Sequence, residues 1–161
     1  MVTEQEVRAA LAAVKDPEIP TCSIADLGIV QDVRVMADRI EIDLLPTFAG
    51  CPALDVIKQD VEQAARDLAA EVAVRFVNAP AWTTDRLNEN AGVSLRAYGI
   101  SPPLLQIARA QHVTCPFCGS SDTIEESAFG PTPCRSVRYC NGCRNPFEAF
   151  KAKLPPTASA S

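Results

Sequence analysis

Apolar residues recur at helical spacing at Val7, Leu11 and Val14, behind a Thr3-x-x-Glu6 pair. That pattern predicts a capped amphipathic helix over residues 3–14. Asp16-Pro17-Glu18-Ile19-Pro20 stops it, because two prolines cannot continue a helix. Ser23 to Gly28 reads as one short helical turn, capped by Ser23 and ended by Gly28. The period then changes to two. Ile40, Ile42 and Leu44 alternate with Glu41 and Asp43, which predicts a hairpin of strands 29–36 and 39–45 turning at Ala37-Asp38. A loop, Pro46 to Pro52, feeds a long helix over 53–69, with Leu54, Ile57, Val61, Ala64, Ala65 and Leu68 in one stripe. A third strand is expected over 72–77. The predicted order α-β-β-α-β is a small α+β layer with helices on one face of a sheet.

Beyond residue 77 the pattern loosens. Pro80-Ala81-Trp82 reads as a loop with an aromatic anchor, and Thr84 as the cap of a helix that runs from Asp85 to Tyr98-Gly99. Ile100-Ser101-Pro102-Pro103 marks a boundary. The expected division is an α+β domain over 1–99, a linker over 100–111, an all-β ribbon over 112–151, and a tail over 152–161 with the composition of disorder. Ribbon strands are expected near 121–128, 135–140 and 146–151. No internal repeat is evident.

The ribbon carries the clearest chemistry. Cys115-x-x-Cys118 and Cys140-x-x-Cys143 are two knuckles whose four thiolates can surround one metal ion. Zinc is the expected occupant, although four thiolates also suit iron. Paired knuckles of this kind seldom form disulfides inside a cell, so metal is preferred over two disulfides or free thiols. Gly119 follows the second thiolate, where a positive φ costs little. Cys134 lies between the knuckles as an alternative ligand. Choosing it would break the second knuckle. Four thiolates around zinc leave a negative site, and Arg135, Arg138 and Arg144 flank it as candidate partners or as ordinary surface charge.

Cys51 is the second candidate. With Pro52 in the first helical position, Cys51 falls at the N-cap of the long helix. There the unpaired N–H groups and the helix dipole would lower its pKa and favour thiolate. The alternative is a small inert cysteine. Asp16, Glu18 and Asp26 are carboxylates that could face this loop, or serve as caps and turn residues. Cys22 reads as core, and His112 as a surface residue.

Charge and composition narrow the classes. The chain has 161 residues and a formal net charge of −5. Within 112–151 acidic and basic residues balance, so the basic stripe expected of a nucleic-acid ribbon is missing. No apolar run approaches membrane-spanning length, and the opening residues predict a helix rather than a signal peptide. Cytoplasmic location is the expectation. A phosphate loop, a dinucleotide fingerprint and a base beside Cys51 are all missing, which argues against an enzyme.

The residues Asp16-Pro17-Glu18-Ile19-Pro20, Ser23-Ile24-x-Asp26-Leu27-Gly28-Ile29-Val30 and Pro46-Thr47-x-x-Gly50-Cys51-Pro52 resemble the small iron–sulfur assembly family that includes SufT. Pro80-Ala81-Trp82-Thr83-Thr84-Asp85, Leu95-Arg96-x-Tyr98-Gly99 and the cysteine ribbon resemble the PaaD family, over nearly the whole chain. That family is encoded with the multicomponent phenylacetyl-CoA epoxidase of aerobic phenylacetate breakdown. The resemblance implies a non-catalytic accessory subunit that helps assemble an iron or iron–sulfur centre in the di-iron oxygenase or the iron–sulfur flavin reductase. It implies Cys51 as a labile iron or cluster ligand supported by Asp26 and Glu18, and structural zinc in the ribbon. A single cysteine per chain suits a cluster shared by two chains, so a homodimer is expected. The competing reading is a docking subunit of the monooxygenase complex that uses the zinc ribbon.

Overall fold

The computed structural model describes residues 1–103 and 113–153. His112, most of the expected linker and the tail from residue 154 lie outside the described residues. The first helix, α1 (Glu4–Leu11), has the expected capping box, with Thr3 N donating to Glu6 Oε2 at 2.8 Å and Glu6 N to Thr3 Oγ1 at 3.3 Å. It buries Val7 and Leu11. The proline-rich stretch is more ordered than a helix stop requires. β1 (Lys15–Asp16) and β2 (Ile19–Ser23) form a small antiparallel pair. Asp16 Oδ1 closes the turn by accepting from Glu18 N at 2.7 Å and Ile19 N at 3.2 Å. Proline is tolerated here because the pair is an edge.

Ser23 to Gly28 makes a hydrogen-bonded turn that is not continued as a helix, with Leu27 N donating to Ser23 O at 3.0 Å. β3 (Val30–Met36) and β4 (Arg39–Leu44) pair antiparallel through the expected turn. α2 (Leu54–Arg66) then crosses over to β5 (Glu71–Phe76), which lies parallel to β4. The sheet order is β3-β4-β5. Ile40, Ile42 and Leu44 face Ile57, Val61 and Ala65 in one buried core.

The other face of this sheet is charged. Asp43 accepts from Arg34 Nη1 at 2.9 Å and from Arg75 Nε at 2.6 Å, and Arg39 joins Glu41 to Glu71. Arg34, and after it Arg75, hold the Asp43 carboxyl down to about 2.

Residues 80–88 strap the first module to the ribbon. Trp82, 1% exposed, donates Nε1–H to Leu27 O at 2.8 Å, and its ring lies 6.0 Å from Phe150. Thr84 does not cap the helix. Its N–H and its hydroxyl bond to Lys153 O, at 2.8 and 3.1 Å, and it lies in a short 3-10 turn, Thr84–Arg86. Asn88 caps α3 (Glu89–Ala97) instead, accepting from Ala91 N at 3.0 Å. Ile100 and Ser101, expected in the linker, form β6, which runs parallel to β9 (Pro146–Phe150). With β7 (Thr123–Ser127), β8 (Arg135–Cys140) and β9 (Pro146–Phe150) it builds a sheet ordered β6-β9-β8-β7. Cys134 and Phe150 of the ribbon belong to the same buried cluster as Val7 and Ile57. The two modules therefore share one core.

Two glycines separate crowding from backbone strain. A Cβ on Gly28, at φ +65°, would lie 2.4 Å from Arg86 O, whereas a Cβ on Gly50, at φ +74°, meets nothing within 4 Å. Gly28→Ala should cost about 3 kcal/mol in denaturant unfolding and Gly50→Ala about 1 kcal/mol, the latter from backbone strain alone. Asp43 gives a second test. Its lowered pKa stabilises the fold above the ordinary carboxylate pKa of about 4, and this contribution is lost as pH falls toward about 2. In Asp43→Asn the acid limb of the stability profile should be flatter across that window.

Candidate metal centre

The first knuckle forms because Gly119 takes φ +76° and donates its N–H to Cys115 O at 2.9 Å. The second repeats the turn with Arg144, whose φ is +61° and whose N–H bonds to Cys140 O at 2.8 Å. β8 delivers Cys140 to the second knuckle, and Cys115 N donates to Ser120 O at 2.9 Å behind the first. The sulfurs of Cys115 and Cys143 are 3.7 Å apart, and those of Cys118 and Cys140 3.5 Å apart. Among the described residues this is the one group of three or more potential ligands whose donor atoms all lie within 4.8 Å.

Four sulfurs at about 2.3 Å from a tetrahedral zinc would stand about 3.8 Å from one another. The observed spacing fits that donor set. Cys143 N also donates to Cys140 Sγ at 3.5 Å, as a thiolate acceptor requires. Asn145 is the leading influence that holds the Cys143 thiol down to about 6. Cys118 is the exposed member, and Cys115 and Cys140 are buried.

The flanking arginines have other partners. Arg138 pairs with Glu125 at 3.2 Å. Arg135, 5% exposed, donates from Nε to Thr132 Oγ1 at 2.9 Å, from Nη1 to Glu148 Oε2 at 2.6 Å and from Nη2 to Glu18 O at 3.1 Å. Arg144 contributes its backbone conformation. Cys134 is not part of the sulfur cluster. It sits in the main core, with its Sγ 3.1 Å from Thr132 Oγ1.

Cys51 is not the helix cap. Ala53 holds that position, and a turn through Pro52 separates Cys51 from α2. Leu54 N reaches the Cys51 carbonyl at 3.4 Å. The expected drop in its pKa is reversed. Burial pushes the Cys51 thiol up, the Ala53 N–H opposes this, and the charges of Asp16, Cys134 and Glu18 add to the rise. The loop packs on the ribbon, with Phe48 edge-on to Phe150 at 6.5 Å and Lys153 Nζ donating to Thr47 O at 3.3 Å.

Asp16 and Glu18 lie in the β1–β2 turn, and their charges are among those that push the Cys51 thiol up. Asp26 is engaged elsewhere: it accepts from Ser23 Oγ at 2.8 Å and from Asn88 Nδ2 at 2.9 Å. Cys22 is core as expected, its thiol pushed up to about 12, chiefly by burial. The placing of Cys134 in the shared core rather than the sulfur cluster carried no signal in the sequence, because no pattern around it names a partner. Among the described residues no helix is long and apolar enough to cross a membrane.

Comparison with known proteins covers both modules. Residues 4–76 match the family model described as "Iron-sulfur cluster assembly protein", and residues 101–151 the one described as "PaaD zinc beta ribbon domain". The chain is 39% identical over 150 residues to a subunit of the "Putative 1,2-phenylacetyl-CoA epoxidase" of Escherichia coli (strain K12), covering 91% of each. It is 33% identical over 95 residues to "Fe-S protein maturation auxiliary factor YitW" of Bacillus subtilis (strain 168), covering 57% of this chain and 92% of that protein. Its first module resembles the crystal structure of "Domain of Unknown Function DUF59 from Bacillus anthracis", with a TM-score of 0.53, 31% identity, and coverage of 57% and 90% of the two chains.

The sulfur cluster makes a direct prediction. Protein purified with one zinc per chain should lose it in Cys118→Ser, while Cys134→Ser keeps full stoichiometry by elemental analysis. Zinc retained by the first variant, or lost from the second, would overturn this assignment of ligands.

Proposed function

The chain belongs to the PaaD family, and on that footing we propose that it is a non-catalytic accessory factor that helps assemble an iron or iron–sulfur centre in the oxygenase or the reductase of a phenylacetyl-CoA epoxidase. The observation that carries this reading is the position of Cys51, a half-buried thiol in a loop at the junction of the two modules. The module that bears it matches a family model described as an iron–sulfur cluster assembly protein. The relative that covers both modules is named as one component of the epoxidase.

The residues divide the work. Cys115, Cys118, Cys140 and Cys143 would hold zinc, which when bound fastens the two knuckles and contributes folding free energy. All four sulfurs are used, so this site has no open position for cargo. Cys51 has no such closed set around it. A ligand for cargo in transit needs few partners and an exchangeable place, and Glu18, whose charge acts on this thiol, is the carboxylate we propose as a hard oxygen donor for iron. Two chains that each contribute Cys51 would share a cluster, so we propose a homodimer as the loaded form, in the cytoplasm.

A second reading, a docking subunit, is favoured by the exposure of Phe129 and Phe117 on the ribbon, at 81% and 60%. Under that reading Cys51→Ala is silent, and Cys118→Ser abolishes partner binding.

The test is made in cells that express the whole epoxidase system. With Cys51→Ala, iron in the oxygenase or the reductase should fall several-fold while the accessory chain keeps its zinc. Full iron loading of both partners would sink the assembly reading and leave docking.

A further inference from the structure

The edge of a β-sheet presents a row of unpaired N–H and C=O groups, and chains that stay single blunt it. Most edges here are blunted. The ladder of β3 shifts register between Val30 and Asp32, and that of β7 between Glu125 and Ser127. β7 also sets Glu125 and Glu126 side by side. β2 carries Pro20, and β1 and β6 have two residues each. β5 has none of these devices. It is an outer strand of its sheet, and its register with β4 runs unbroken from Glu71 to Phe76. Its middle is Val72-Ala73-Val74, and it contains neither proline, glycine nor lysine.

The groups on this edge are open. Glu71 N donates to Asp38 O at 3.1 Å and Val77 N to Leu44 O at 2.8 Å, both toward β4. Peptide groups alternate along a strand, so Ala73 and Arg75 also face β4, while Val72, Val74 and Phe76 turn their N–H and C=O outward. Among the described residues no hydrogen bond from another segment reaches these outward groups. The side chains alternate too. Val74 is buried on the core face, and Glu71 and Arg75 stand on the other face with exposures of 64% and 65%. The two charges are opposite in sign and equally far from Ala73.

We propose that β5 is the contact between two copies of this chain, paired antiparallel about Ala73, so that two three-stranded sheets become one. Outward groups must meet outward groups, which requires the two-fold axis to pass through a residue rather than between two. An axis at Ala73 sets Val72 against the partner's Val74 and the reverse, which gives four backbone hydrogen bonds. It also sets Glu71 against the partner's Arg75 at both ends, in the non-hydrogen-bonded positions where side chains approach most closely. Axes at Val72 or Val74 place both charges against apolar residues, so charge selects Ala73. β5 ends at Phe76 beside Leu44, the end of β4 that leads into the Cys51 loop. Antiparallel pairing sends the two such ends apart. This dimer therefore shares no cargo through Cys51 and forms without iron.

The test is sedimentation equilibrium of the full zinc-loaded chain, free of iron, over a concentration series up to its solubility limit. Wild type should form a dimer. Glu71→Arg sets like charges at both ends of the pair, and Arg75→Glu does the same with the other sign. Each should weaken dimerisation at least about 10-fold. Mixed in equal amounts, the two variants regain both opposite-charge pairs. They should bind each other more tightly than either binds itself, which also shows that both are folded. A monomeric wild type overturns the proposal and leaves the edge to a strand of another protein. A dimer that neither substitution weakens, or that mixing does not restore, places the contact elsewhere. Hydrogen exchange of the unsubstituted chain needs no variant. The amides of Val72 and Val74 should exchange more slowly at high protein concentration than at low, and equal rates overturn the pairing.

Discussion

A guanidinium withdrawn from water costs several kcal/mol unless its N–H groups find partners, and the junction of this molecule is built around one. Arg135 meets Thr132 and Glu148 within the ribbon and the Glu18 carbonyl of the first module. The hydroxyl of Thr132 also reaches Cys134, so the ion and the thiol are positioned by the same turn. Because the acceptors come from both modules, satisfying the charge couples the ribbon to the first module. Trp82 and Phe150 fill the apolar part of the same junction, and the Trp82 N–H bonds to the Leu27 carbonyl behind it. The hydrophobic term holds the modules together without direction, and the buried ion sets the angle.

That orientation sets two groups of cysteines apart. The knuckles are local: turn geometry at Gly119 and Arg144 and pairing within the ribbon sheet bring four sulfurs together over a short stretch of sequence. Such a site suits permanent occupancy. The Cys51 neighbourhood is non-local and depends on the junction. A change that loosens the junction therefore acts first on the Cys51 region.

Where one stretch of sequence held all the partners, the sequence was readable. The capping box of Thr3 and Glu6, the stripe of Ile57, Val61 and Ala65, the hairpin over Ala37-Asp38 and the two knuckles all follow from local spacing. The α+β order with a ribbon after it followed from those. The misreadings have one cause. Thr84 was expected to cap a helix, but its partner is Lys153, at the far end of the described chain. Cys51 was expected to be the N-cap, but Gly50 and the turn after it hold it two residues from that place. Asp26 was open between turn chemistry and a place near Cys51 that the resemblance implied, and Ser23 and Asn88 engage it in the turn. A polar side chain has several acceptable uses, and only tertiary contacts select one.

The parallel pairing of β6 with β9 has a consequence for how such a chain can be inherited. The ribbon is completed by a strand that precedes it, and the core of the first module is completed by residues that follow it. Relatives made of the first module alone exist, so this mutual dependence belongs to chains that carry both parts. A copy ending after α3 would bare the Trp82 ring, and a copy starting at the first knuckle would lack an edge strand. Descent with this architecture keeps both halves under selection together, and drift in one is answered by drift in the other.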